Sequence, residues 1–216
     1  MNNYEYIIAS LPVLSQDGKD LRNLDYDGTV AFIRQQCSPS DRMLTDQLLR
    51  GFDEETLGEA FYREALGERI RKADPFSAEP TPPQPPRNAF IRDYFTFDLR
   101  VRNAKVRFLN KALGRPAGQD IFLEPGGEFP EAERLAAVLA EKDILKRERG
   151  LDDLMWEKAL SLVTFRPFSI DAVLGFIARF HILERWIRLD EQTGRELFRR
   201  LVEEVRGTFR GVDFHE

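Results

Sequence analysis

The sequence predicts a mainly α-helical protein, an antiparallel bundle of about eight helices with no substantial sheet. Three observations predict it. Apolar residues recur at three- and four-residue spacing along most of the 216-residue chain. Hydrophobic residues make up 42% and charged residues 32%, the balance of a highly charged helical protein. Long periodic stretches follow one another across short turns, which favours antiparallel neighbours.

Residues 4–12 open the order ambiguously. Tyrosine and isoleucine favour a strand, yet Pro12 would equally stop a short helix, and a lone strand has nothing to pair with. Asp17-Gly18 marks a turn. Val30, Ile33 and Cys37 recur at helical spacing over 27–37. Pro39 follows, and Ser40 is expected to cap a second helix over 41–50. Asp53 is expected to cap a third over 54–72, with Leu57, Phe61, Ala65 and Leu66 on one side.

Six of the twelve prolines fall within 75–86, a density no helix or central strand survives. The chain therefore divides into an N-terminal helical lobe (1–74), a Pro-rich linker or strap (75–87) and a long-helix C-terminal bundle (88–216). The two lobes are free to pack as one domain. PxxP occurs three times in the linker, as in polyproline ligands. A semi-rigid linker is the simpler reading, because PxxP arises freely in any proline-rich segment.

Asn88 begins a long helix that ends at Gly114. Ile91, Tyr94, Phe95, Val101, Phe108, Leu109 and Ala112 share its broad apolar face, and Asp98, Arg102 and Lys105 fall among them. Arg92, Arg100, Arg107 and Lys111 lie opposite, as a basic outer stripe and a candidate face for partner docking. Residues 115–128 are a loop. Pro130 suits the first turn of the next helix, which carries Leu135, Val138 and Leu139 and extends toward Arg149 with a break near Asp143. Gly150 is expected to separate it from a helix over 151–163. Pro167 ends that element and Ser169 caps the next, over 169–189. A last helix over 195–209 packs Leu197, Leu201 and Val205.

The helix over 169–189 carries a glutamate on its apolar face. Val173, Phe176, Ile177, Phe180, Leu183 and Ile187 gather on one side, with Glu184 among them. A carboxylate there is costly without a partner. Asp98 and Arg102 are i,i+4 neighbours, as are Glu184 and Arg188. Arg102 reaching Glu184 would make a buried Asp98–Arg102–Glu184 network, and Glu184→Ala would then be strongly destabilising. Alternatively Glu184 lies at a lobe edge and stays wet.

Catalytic signatures are absent from the sequence. It contains neither GxxxxGK[ST] nor GxGxxG. With His181 and His215 as the only histidines and Cys37 as the only cysteine, HExxH and thiolate zinc sites are excluded. His181-x-x-Glu184 is a single copy of a motif that di-iron sites use twice. No enzyme activity, metal, cofactor or small-molecule substrate is expected. The lone cysteine suits a reduced, cytoplasmic setting, and Met1-Asn2-Asn3 lacks the basic start of a signal peptide. No apolar stretch approaches the ~20 residues of a membrane span. The net charge of -5 argues against general nucleic-acid binding. Residues 87–115 nevertheless hold eight Lys/Arg against two Asp/Glu.

Four segments carry a resemblance: YEYIIASLPVL, FIRDYFTFDLRVRNAKVRFLNKALG, LMWEKALSLV and GFIARFHILERWIRLDEQTG. They resemble a bacterial family encoded within V-type ATPase operons. That family looks like a shortened relative of the C-type subunit of V/A-type ATPases, known as the d-type subunit in eukaryotes. The resemblance implies an all-helical, non-catalytic component that binds no nucleotide. Such a component sits on the membrane rotor ring, receives the central-stalk subunits and couples torque to ion transport, proton transport among them. It would be cytoplasmic and peripheral to the inner membrane, without inserting into it. Asp98, Arg102, Asn103 and Glu184 match polar positions within the family's helices, with an architectural role. The chain departs from the C-type pattern in length, with room for about two of its three helical units, and in its proline linker. One alternative is a helical adaptor that binds RNA or an acidic protein through the basic face of 87–115. Another is a helical enzyme with a polar-lined apolar pocket.

Overall fold

The longest helix begins where its cap residue stands. In a computed structural model, which describes residues 4–16, 25–67 and 86–188, α5 spans Ala89–Ala112. The Asn88 side chain accepts the Ile91 N–H at 2.9 Å, satisfying one of the free donors of the first turn. Gly114, just past the end, has φ +64°, the left-handed turn that glycine adopts without strain.

Seven other helices surround or flank it among the described residues: α1 (Tyr4–Ser10), α2 (Tyr26–Gln36), α3 (Pro39–Arg50), α4 (Glu59–Ala65), α6 (Ala132–Leu139), α7 (Ile144–Val163) and α8 (Ile170–Arg188). No strand occurs among the described residues, so the fold is mainly α. None of their helices is long and apolar enough to cross a membrane.

The centre is built from α5, α7 and α8. The Lys158 ammonium of α7 lies 5.1 Å from the Phe97 ring of α5, and Lys105 pairs with Glu148 at 3.7 Å. Numbers therefore rise along α5 as they fall along α7, and the two helices are antiparallel. A six-residue turn returns the chain from α7 into α8, so α8 runs beside the start of α5, where Asn88 Nδ2 donates to Asp171 at 2.7 Å. An added Cβ on Gly175 would lie 2.8 Å from Val163 and 3.4 Å from Phe90, so this glycine lets α8 sit close to both neighbours.

α8 is buried around most of its circumference rather than along one stripe. Val173, Leu174, Phe176, Ile177, Ala178 and Phe180 are all at most 5% exposed. It touches α1, α2, α3, α5 and α7, which is why both sides of the helix are apolar. One core joins residues on either side of the proline-rich segment, from Ile7, Ile33, Leu48 and Tyr62 to Phe95 and Ile177.

Several boundaries differ from expectation. The ambiguous start is helical, with Ile7 buried, because α8 offers it an apolar surface. Ser38, not Ser40, caps α3, and Pro39 takes the first helical position. The helix expected over 54–72 shrinks to α4. Asp53 instead closes a local turn, accepting the Glu55 N–H through its side chain and the Leu57 N–H through its carbonyl. Extended Gly58 then intervenes before Glu59. Asp143 caps α7, accepting the Leu145 and Lys146 N–H groups, and Gly150 lies inside that helix rather than breaking it. A Cβ on Gly150 would come within 2.9 Å of Val138, so this glycine serves the close approach of α6 to α7. The proline-rich stretch up to Pro85, and the helix expected over 195–209, lie outside the described residues.

Candidate functional site

Part of the basic face of α5 meets a second segment of the chain: Arg100 is half-buried, while Arg92, Arg107 and Lys111 remain exposed. That segment, 115–131, is a strap held to the helix by α5 side chains that mostly grip its backbone. Arg100 donates to the carbonyls of Glu128 and Gly126 at 2.6 Å and of Gly127 at 3.3 Å. Arg102 donates to the Asp120 carbonyl at 3.1 Å, with its guanidinium 3.3 Å from the Phe122 ring centre. Asn103, 1% exposed, donates to Leu123 O at 2.8 Å and accepts from Phe122 N at 3.4 Å. Asn110, 2% exposed, donates to Gln119 O at 2.8 Å. Arg107 pairs with Glu124. Main-chain recognition of this kind places little demand on the strap's own side chains, and it satisfies the carbonyls of a segment with no regular structure.

Between α5, the strap and α6 lies a half-open groove of about 420 Å³, within the size range of ligand and peptide sites. Ala104 on α5 faces Ala132 and Ala136 on α6, and these short side chains leave the space. Leu135, Leu139 and Phe129 give it an apolar lining, and Arg100, Arg107 and Glu124 are its charged residues.

The predicted polar network separates in the structure. Asp98 accepts the Tyr62 phenol at 2.6 Å. Burial pushes its carboxyl above the usual carboxylate range, opposed by that hydrogen bond and by Lys105 and Arg102. No hydrogen bond or ion pair joins Arg102 to Glu184. Arg102 turns to the strap, and Glu184 pairs with Arg188 one turn along its own helix. Of the expected docking residues, Arg92 pairs with neighbouring Asp93 at 2.7 Å, Arg100 and Arg107 hold the strap, and Lys111 is exposed. Two of the four stripe residues thus reach the strap, Arg100 through its backbone and Arg107 through an exposed ion pair. Periodicity places residues on a face but cannot say that a loop returns to meet it.

A second polar centre was not singled out from the sequence. Asp152, 8% exposed, accepts the Trp186 indole N–H at 2.5 Å and pairs with Arg185, while Arg149 lies 4.0 Å from the Trp186 ring centre. Burial raises the Asp152 pKa, opposed chiefly by Arg185. The signal was present: Asp152 shares a helical face with Met155, Trp156 and Ala159. Nearby, His181 stacks flat on Phe52 at 4.2 Å, and its Nδ1 is 3.4 Å from the Tyr26 hydroxyl. Burial, with Arg185 and Arg188 adding to it, lowers its pKa to about 4. Burial raises the Tyr26 phenol, with the Glu184 charge contributing. Among the described residues no group of three or more His, Cys, Asp or Glu side chains is placed to hold a metal ion.

The segment containing the Asp152–Trp186 contact also falls within a family match. Residues 123–208 match a family described as protein of unknown function (DUF2764). The match starts at the strap residue whose carbonyl Asn103 holds, and it takes in α6, α7 and α8, less than half of the chain. No curated protein and no solved structure matches. The DUF2764-like segment thus supplies one wall of the groove and the Asp152–Trp186 contact, while α5 supplies the clamp.

Proposed function

We propose that this protein is a non-catalytic component of a bacterial V/A-type rotary ATPase, similar to its C-type subunit. It mechanically couples the central stalk to the membrane rotor ring during ion transport, and it is held at the cytoplasmic face of the membrane through that complex. What supports this reading is that three of the segments that carry the resemblance fall in or start within α5, α7 and α8, the three helices packed as the centre of the fold. Polar and charged side chains join the elements: Arg100 and Asn103 bind the strap to α5, and Asp152 binds α7 to α8. A part that transmits force needs such cross-links between rigid helices.

Affinity purification of the native protein from membranes tests the proposal. Central-stalk and rotor-ring subunits of a V/A-type ATPase are expected in the recovered material, and their complete absence overturns it. The RNA-adaptor alternative draws less support, because Arg100, in the middle of the stripe, is already held by three strap carbonyls. RNA binding would also fall steeply with salt.

A further inference from the structure

We propose that the groove between α5 and α6 is a docking site for an acidic amphipathic helix of a partner protein, whose carboxylate takes Arg107 over from Glu124. Shape comes first. The lining residues of α5 run from Arg100 to Arg107 and those of α6 from Ala132 to Leu139. Each stretch covers about two helical turns, or roughly 11 Å. That length suits an incoming helix with apolar anchors at i, i+3 or i+4, and i+7. The alanines of both walls leave room for those anchors, and Ala132 and Ala136 are exposed at the mouth.

Charge selects the partner's sign. The lining holds two arginines against one acid, and exposed Lys111 continues the same row one turn beyond Arg107. Arg100 is fixed by three strap carbonyls. Arg107 is different: its ion-pair partner is Glu124, and the two side chains are 47% and 62% exposed. An ion pair this wet is weak and readily exchanged. Glu124 therefore stands where a partner's glutamate or aspartate would stand, as an internal substitute for it.

The proposal goes beyond the ATPase reading and stands without it, since its probes are synthetic peptides. The full-length protein is titrated into a labelled helical peptide of about 15 residues with leucines at i, i+3, i+4 and i+7, flanked by glutamates. One control carries lysines in place of the glutamates, and another has its leucines dispersed. Fluorescence anisotropy is expected to give saturable binding of the glutamate peptide, at least about tenfold tighter than either control. Ala136→Leu fills the groove and weakens binding about tenfold. Glu124→Gln frees Arg107 and tightens it a few-fold. Arg107→Glu reverses the preference toward the lysine peptide. Absence of saturable binding, equal binding of the acidic and basic peptides, or indifference to both Ala136→Leu and Arg107→Glu overturns the proposal. Two other results also overturn it: octanoate binding in the groove without peptide binding, which assigns it to a small amphiphilic anion, and a dimer of the protein alone that Ala136→Leu dissolves.

Discussion

Asp152 on α7 accepts the indole N–H of Trp186 on α8 at 2.5 Å, and the same carboxylate pairs with Arg185. Two donors from one turn of α8 thus converge on a carboxylate that is 8% exposed. The contact fixes the register of the antiparallel α7–α8 pair, because a slip of one residue would part both bonds.

Asp152→Ala leaves the part-buried indole N–H without its acceptor and is expected to cost about 1 kcal/mol. Arg185, with 43% of its side chain exposed, recovers solvent and limits the loss. A denaturant melt followed by tryptophan fluorescence measures it. A midpoint matching the wild type would remove Asp152 from the register argument.

His181 supplies a pH dependence. Its folded pKa, about 4, lies below the unfolded value of 6.5. Between these values the unfolded chain binds the proton and the folded chain does not. Its contribution to stability is therefore complete above pH 6.5 and is lost as pH falls toward 4, by about 3 kcal/mol. Asp98 and Asp152 act with the opposite sign, because their folded pKa values are raised. The comparison of wild type with His181→Gln across this window isolates the histidine. Of the chain's two histidines, one is expected to give imidazole NMR signals that titrate near pH 4. Both titrating above pH 6 would refute the buried stack on Phe52.

Gly51 is a steric keystone at the end of α3. A Cβ there would lie 2.1 Å from Phe95 and 2.7 Å from Phe61. Those rings meet edge to face at 4.8 Å in the core and cannot both retreat. Gly51→Ala is expected to lose about 1–3 kcal/mol through forced repacking. Equilibrium unfolding in urea gives the figure.

Glu184 should matter less than its place on an apolar helix face suggests, and less than Asn103. Asn103→Ala removes both strap bonds of a 1%-exposed side chain and is expected to cost about 1–3 kcal/mol. Hydrogen exchange at 119–124 should accelerate in parallel. Glu184→Ala loses a pair whose arginine is 70% exposed, so the expected cost stays below about 1 kcal/mol. A larger loss for Glu184→Ala than for Asn103→Ala would reverse this assignment.

Local chemistry determined much of the outline from the sequence. Asn88 and Gly114 delimit α5 because cap and left-handed positions admit few residue types. The i, i+3, i+4 spacing required helices throughout, and the structure is mainly α. Asp98, Arg102 and Glu184 were identifiable as polar groups on apolar helix faces.

What the sequence could not carry is which face meets which. Gly150 reads as a break, yet it is a contact point, because only the folded molecule puts Val138 against it. Arg100 and Arg107 read as an outer stripe, yet a strap returns to meet them. Arg102 and Glu184 sit on helices that share the core, but their side chains turn to Asp120 and Arg188 instead. Helical periodicity is a property of one segment and is written in its own residues. Pairing is a property of two segments, decided by which close approaches bury apolar surface while leaving every polar group a partner. The helical class and both ends of α5 were thus legible in local sequence, while the strap, the groove beneath it and the Asp152–Trp186 contact exist only once α5, α6, α7 and α8 have packed.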